Sequence, residues 1–286
     1  MNITKRDYKS DIYEGIIKNA RNQVPIIHCI TNNVTINDVA NIILAAGGSP
    51  IMADEKDEMK DITKVGKALV INMGVVKSEI IESMIVAGKE ANKIGNPVIL
   101  DPVGVGASKL RTEIANKIIQ EVKIDIIRGN VSEIKSLAVG GNTTKGVDAS
   151  EEDKITVDNL EFNIKIAREL SIKTGAIIGI TGEIDIVVDQ NNACIIKNGH
   201  EMMTKVTGTG CMLSGVIGTF VAANRHKKFE STVIAISAMG YCGEIAYSRL
   251  VKQEGVGTST YRTFIIDAMS MMSDEMMKRG KKIEIR

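Results

Sequence analysis

Thr207-Gly208-Thr209-Gly210-Cys211 is the segment best suited to chemistry: two glycines frame a threonine, and the apolar run Met212–Ala223 follows at once. Glycine lets the backbone come close to a ligand. The first amides of a helix lack partners within it and lie at its positive end. A turn of this kind opening a helix makes an anion hole aimed at a phosphate. The plainer alternative is a Gly-rich turn entering a buried helix.

Two further groups could work with such a hole. Arg128-Gly129-Asn130 is followed by Glu133. An arginine at a strand end can clamp a polyphosphate in fork geometry. The spacing from Asn130 to Glu133 is one helical turn, which would hold the carboxylate near the same cleft; a helix-start carboxylate facing the dipole is the competing explanation. Asp101 ends Pro97-Val98-Ile99-Leu100 and precedes Pro102. It could hold Mg2+ or its waters near transferring phosphates, or simply make an Asx-type turn. The common nucleotide and hydrolase motifs are missing. There is no G-x-x-x-x-G-K-[ST], and Leu213 stands where a dinucleotide fingerprint after Gly208 and Gly210 needs a third glycine. G-x-S-x-G and H-E-x-x-H are absent too. His28, His200 and His226 are too dispersed to suggest a metal site.

Short apolar, β-branched runs must position these residues. Pro25–Ile30, Ala68–Ile71, Pro97–Leu100, Ile124–Ile127, Ala176–Ile180, Asp185–Val188 and Ala193–Ile196 read as strands. Several are apolar throughout, as in a parallel sheet covered on both faces. Helical patterns lie at Ile36–Ala46, Ser78–Lys93, Lys109–Glu121, Ser132–Val139 and Val157–Lys173. More follow near Cys211–Asn224, Glu230–Lys252 and Ser259–Arg279. The alternation predicts a three-layer α/β/α fold with a mostly parallel central sheet, and the close strands at 176–196 predict a hairpin at one edge. No linker divides the chain, so residues 1–286 read as a single domain. In such sheets ligands sit outside the carboxyl ends of the strands, where the residues above fall.

Bulk composition narrows the partners. The chain has 286 residues, 44% hydrophobic and 25% charged, with formal net charge +1. Nothing there favours nucleic acid or an anionic membrane. With no Trp and 3% aromatics, the core must come from aliphatic residues and the 14 Met. The basic Lys278–Lys282 run reads as a solvated helix end. No apolar stretch reaches the roughly 18 residues of a membrane span, and the N-terminus lacks the apolar segment of a signal peptide. Four scattered cysteines without a C-x-x-C pair argue against a disulfide scaffold or zinc site and fit a reducing cytoplasm.

Taken in order, the segments resemble the ribokinase-like superfamily of small-molecule kinases, and most closely the hydroxyethylthiazole kinase family. The resemblance runs from about Ile27 to Ala223. It is carried by His28-Cys29-Ile30-Thr31-Asn32-Asn33-Val34-Thr35, Gly48-Ser49-Pro50-Ile51-Met52-Ala53, Leu69-Val70-Ile71-Asn72-Met73-Gly74 and Leu100-Asp101-Pro102-Val103-Gly104. Arg128-Gly129-Asn130-Val131-Ser132-Glu133, Gly146-Val147-Asp148, Ile180-Thr181-Gly182 and Lys205–Cys211 complete it. The resemblance implies transfer of the ATP γ-phosphate, with Mg2+, to the hydroxyl of 4-methyl-5-(2-hydroxyethyl)thiazole in thiamine salvage. It implies that Arg128 and Thr181 bind ATP, that Met52 and the main chain of Gly208 bind the thiazole, and that Asp101 and Glu133 stand on the magnesium side. Asn32 and the Asn72–Gly74 turn are expected near the thiazole. It further implies a homotrimer in which Met52 and Gly208 of different chains complete each site.

Most ribokinase-like kinases carry a catalytic Asp where this chain has Cys211, which lines the site and is at best a weak base. Kinases for a hydroxymethylpyrimidine or pyridoxal, and the ATP-dependent dehydratase for hydrated nicotinamide cofactors, would be expected to keep that Asp. A non-catalytic nucleotide-binding protein would not need Arg128, Glu133 and Asp101 together.

Overall fold

Runs that are apolar throughout become strands with a helix layer on each face. A computed structural model of the chain describes residues 13–139, 155–156 and 158–286, so the Gly146-Val147-Asp148 segment and Val157 lie outside the described residues. The elements run α1 (Ile16–Gln23), β1 (Ile26–Ile30), α2 (Ile36–Ala46), β2 (Ser49–Met52), α3 (Met59–Val65), β3 (Ala68–Asn72), α4 (Ser78–Ile94), β4 (Val98–Asp101) and α5 (Lys109–Glu121). Then come β5 (Ile126–Asn130), α6 (Val131–Val139), α7 (Leu160–Thr174), β6 (Ile177–Thr181), β7 (Asp185–Val188) and β8 (Ala193–Ile196). The chain continues through α8 (Thr209–Ala223), α9 (Lys228–Leu250), α10 (Thr258–Met271), α11 (Asp274–Gly280) and β9 (Ile283–Ile285).

The strands form one sheet in the order β2-β1-β3-β4-β5-β6-β7-β8-β9. Neighbours from β2 through β6 are parallel, whereas β7, β8 and β9 each join antiparallel. Successive side chains of a strand point to opposite faces. Ile27, Cys29, Val70 and Ile99 accordingly enter one core with α2, α8, α9 and α10. Ile30, Leu69, Ile71, Leu100 and Ile127 enter a second with α4, α5, α6 and α7. This is the three-layer architecture that the sequence predicts.

The chain steps from β1 outward to β2, then returns past β1 to β3. The crevice at such a reversal lies beyond the carboxyl ends of β1 and β3. Helix α8 packs across β1, β3 and β4, which brings its N-terminus to that crevice.

Several boundaries differ from the sequence reading. β5 does not stop at Ile127 but runs to Asn130, with Arg128 opposite Gly179 and Asn130 opposite Thr181. Arg128 therefore stands within the strand, its charge met by side chains from β4 and β6. The helix expected over Ser259–Arg279 breaks at Met272-Ser273. Ser273 caps α11 by accepting the Met276 N–H, and the Arg21 guanidinium takes the carbonyls of Met269, Ser270 and Met272. The antiparallel strands do lie at one side, but β9 rather than β8 forms the edge.

Candidate active site

At the carboxyl ends of β1, β3 and β4 stand three polar side chains that the sheet cannot leave unpaired: Asn32, Asn72 and Asp101, all buried. They pair with one another. Asn72 Nδ2 donates to Asp101 Oδ2 at 2.8 Å, and Asn32 Nδ2 donates to Asn72 Oδ1 at 3.0 Å. Asn72 Oδ1 also accepts the Gly74 N–H at 2.9 Å, which shapes the turn after β3. Asn32 Oδ1 accepts the Thr35 N–H and hydroxyl, which shapes the entry to α2. Ser214, one turn into α8, donates its hydroxyl to Asp101 Oδ2 at 2.8 Å. Among the described residues that leaves Asp101 Oδ1 with a single long contact, 3.4 Å from Arg128 Nη1.

Arg128 joins β4, β5 and β6. Its Nη2 donates to Thr181 Oγ1 at 2.6 Å, while its buried Nε–H has no hydrogen-bond partner among the described residues. A buried donor left open costs free energy, about 1–3 kcal/mol, which an incoming anion would offset. The guanidinium lies against the first turn of α8. A Cβ on Gly210 would sit 2.6 Å from Nη1, so a side chain there would displace the guanidinium.

Helix α8 opens as the sequence suggests. Gly208 is its N-cap at φ 84, a left-handed conformation that suits glycine alone at low cost. The first intrahelical bond runs from the Met212 N–H to the Gly208 carbonyl at 2.8 Å. The amides of Thr209, Gly210 and Cys211 precede it and have no helical acceptor, which makes the anion hole. Cys211 Sγ receives Asn72 Nδ2 at 3.3 Å and Asn32 Nδ2 at 3.4 Å. Burial and then the negative charge of Asp101 push its thiol above the ordinary range, against the Thr35 and Asn32 hydrogen bonds and the Arg128 charge. Burial and Asp101 thus favour the thiol over the thiolate.

Glu133 makes a capping box with Asn130. Its Oε2 accepts the Asn130 N–H, and Asn130 Oδ1 accepts the Glu133 N–H, both at 2.8 Å. Its Oε1 accepts the Gly104 N–H at 2.8 Å and so ties the loop after β4 to α6. Burial first, then Asp101, raises its pKa, opposed by those two amides and by Arg128. Across the cleft, Asp185 begins β7 and accepts the Gly182 N–H at 2.9 Å, closing the loop that follows Thr181. Burial pushes its pKa to about 7.

Among the described residues no group of three or more His, Cys, Asp or Glu could hold a metal alone. Asp101 and Glu133 instead suit an ion that arrives on phosphates. Mg2+ takes one or two carboxylates and keeps phosphate and water ligands. Among the described residues Asp101 Oδ1 has an open lone pair, and each Glu133 oxygen accepts one hydrogen bond.

The structure thus places Asp101, Arg128, Thr181, Glu133, Gly208 and Cys211 at the carboxyl ends of the strands and the N-terminus of α8. Met52 ends the edge strand β2 opposite Cys29, partly buried against the core that also packs Cys211. Two contributors escape the sequence reading: Ser214 and Arg111. Arg111 donates to the carbonyls of Met73, Gly74 and Val103, clamping the loops after β3 and β4. For Ser214 the available signal was a hydroxyl one helical turn after Gly210 in an otherwise apolar helix.

Residues 17–275 match the model of the hydroxyethylthiazole kinase family. A hydroxyethylthiazole kinase of Clostridium acetobutylicum is 49% identical over 268 residues, covering 94% of this chain and 97% of that protein. The structure of a hydroxyethylthiazole kinase protein from Pyrococcus horikoshii superposes with a TM-score of 0.84 at 29% identity, over 96% of this chain and 99% of that one. A ribokinase-like superfamily protein of Enterococcus faecalis, with a TM-score of 0.61 at 12% identity over 96% of this chain and 99% of that one, shares the fold alone. The chain belongs to the hydroxyethylthiazole kinase family.

Proposed function

We propose that the chain transfers the γ-phosphoryl group of ATP to the hydroxyl of 4-methyl-5-(2-hydroxyethyl)thiazole, a step of thiamine salvage, in the cleft at the N-terminus of α8. One observation carries the reading. The Arg128 guanidinium, whose Nε–H has no hydrogen-bond partner among the described residues, lies against the first turn of α8 and 3.4 Å from Asp101 Oδ1. Phosphoryl transfer needs little covalent help from a protein. It needs reactants held in line and negative charge met by fixed donors.

In this reading Arg128 and Thr181 hold the nucleotide phosphates. The amides of Thr209, Gly210 and Cys211 meet the charge on the transferring group. Asp101 and Glu133 would hold Mg2+ or its waters, and the ion would supply neutralisation of negative charge on the nucleotide phosphates. Asn32, Asn72 and the Gly208 main chain face the thiazole alcohol, beside the Cys211 thiol. A protonated thiol suits a loose transition state, in which the hydroxyl keeps its proton until bond formation is advanced.

Met52 would contact the thiazole from the edge of the sheet. All of β2 is only half-buried, and Val34 and Leu44 nearby are 72% and 57% exposed. A homotrimer that covers this edge and joins Met52 of one protomer to Gly208 of another is part of the proposal. So is a cytoplasmic location. All four cysteines are free, and no helix of the described residues is long and apolar enough to cross a membrane.

A crystal soaked with the thiazole alcohol and a non-hydrolysable ATP analogue tests the placement. The hydroxyl is expected within hydrogen-bond reach of the α8 amides and the γ-phosphate beside Arg128. A thiazole bound elsewhere overturns it.

A further inference from the structure

One buried titratable group takes no part in this chemistry. His28 lies in β1, 0% exposed. Its ring leaves the sheet to join two other elements: Nε2 is 3.0 Å from the Ala53 carbonyl and Nδ1 is 3.1 Å from the Thr63 hydroxyl in α3. A carbonyl oxygen can only accept, so Nε2 carries the proton. Nδ1 is then the acceptor for the Thr63 O–H, and the ring is neutral with a fixed tautomer. Burial lowers its pKa, against the Ala53 hydrogen bond, and so favours the neutral ring.

Ala53 follows Met52 directly. The edge strand β2 is only four residues long and pairs with β1 alone, and its ladder ends at the pair Cys29–Met52. Beyond that pair the chain leaves the sheet for a short 3-10 turn at Lys56–Glu58 and then α3. The His28 hydrogen bond is thus the tie at the point where the ladder gives out. Its far end is anchored as well: Asn96 Nδ2 donates to the Gly66 carbonyl at 2.8 Å, just past the end of α3, and lies 3.4 Å from the Thr63 carbonyl. An edge strand held on one side is free to fray at its end unless something pins it.

We infer that His28 is a positioning residue for the thiazole. Its ring, locked between Thr63 and Ala53, fixes the exit of β2 and with it the place of Met52. The inference rests on the proposed contact between Met52 and the thiazole, so the test must separate the two.

Steady-state kinetics of Met52→Ala, His28→Phe, His28→Gln and Thr63→Val, each with thiazole alcohol and ATP varied in turn, make that separation. Phe fills the space without donating, whereas Gln can still reach the Ala53 carbonyl with an amide N–H. His28→Phe is expected to raise KM for the thiazole alcohol about tenfold, with kcat and KM for ATP within about twofold of wild type. His28→Gln should restore most of that loss, and Thr63→Val should raise the same KM by less. A residue that only supports folding would lower the melting temperature without moving one KM alone. If Met52→Ala raises thiazole KM but His28→Phe and Thr63→Val leave it unchanged, the positioning role is wrong. If Met52→Ala leaves it unchanged, the Met52 contact itself is wrong and the inference goes with it. Should His28→Phe fail to fold, Thr63→Val decides alone: an unchanged thiazole KM overturns the inference.

Discussion

Replacing Gly210 with alanine should separate activity from stability. Gly210 is the second residue of α8 and has no positive φ, so alanine fits the backbone there. In a helix the change favours folding by roughly 0.5–1 kcal/mol. The added methyl, however, would lie 2.6 Å from Arg128 Nη1, 2.7 Å from Nη2 and 3.0 Å from Cζ. Non-bonded contacts of this kind settle near 3.5 Å, so the guanidinium must withdraw by about 1 Å. The β5 ladder fixes the Arg128 backbone opposite Gly179, so the side chain must rotate, breaking its 2.6 Å bond to Thr181. The displaced guanidinium would also lose a hydrogen bond to the ATP phosphates, and one from a charged group contributes about 1.5–3 kcal/mol. At 1.36 kcal/mol per decade, kcat/KM for ATP should fall roughly 10- to 150-fold. Thermal melts and ATP titrations at saturating thiazole alcohol read both quantities. The double variant with Arg128→Ala should lose little beyond Arg128→Ala alone, because both changes remove one contact. A Gly210→Ala enzyme that melts like wild type and uses ATP within about twofold of it would refute the placement of Arg128.

Other outcomes follow from the same geometry. Gly208→Val should cost both activity and stability, since φ is 84 and the new Cβ would lie 2.5 Å from Thr35 Cγ2; a loss of about 2–4 kcal/mol in a urea melt is expected. Because burial and Asp101 raise the pKa of the Cys211 thiol, iodoacetamide at pH 7 should label it more slowly than a free thiol. Cys211→Asp should keep or raise turnover if the position faces the hydroxyl, and its abolition in a folded protein would place the residue wrongly. Asp185 has a folded pKa raised to about 7 from 3.8 by burial. Its neutral form is therefore favoured by folding, and that stability is full below about pH 4 and lost as pH rises through 7. Asp185→Asn should leave stability near pH 4 unchanged and raise it at pH 8 by on the order of 2–4 kcal/mol, read from denaturant melts at both pH values.

Much of the frame can be read from the sequence because burial on both faces leaves strands that are apolar throughout. Ala68–Ile71 and Pro97–Leu100 declare themselves this way, and so does the strand-end position of Asp101. β2 does not: it begins Ser-Pro and stays half-buried along its length, so it carries no apolar run. β9 is a three-residue edge strand, too short to have a pattern. The break between α10 and α11 is hidden because buried side chains continue across it, from Phe264 and Ile265 through Met269 and Met272 to Met277. What ends α10 is Arg21, far away in sequence. The same reason conceals Ser214 and Arg111, whose meaning lies in Asp101 and in the carbonyls of two other loops. Arg128 was found but displaced, because a charge inside a strand is readable only once its partners on β4 and β6 are in place. Cys211 could be located from its glycines, while its protonation state depends on burial and on Asp101, which no local pattern reports.

The most direct test is ATP consumption by the purified protein with four acceptors in parallel: the thiazole alcohol, a hydroxymethylpyrimidine, pyridoxal and a hydrated nicotinamide cofactor. The thiazole alcohol is expected to give the highest kcat/KM, with ADP and the thiazole phosphate formed in equal amounts. A clear preference for any of the other three, or no ATP turnover with the thiazole alcohol, would contradict the account.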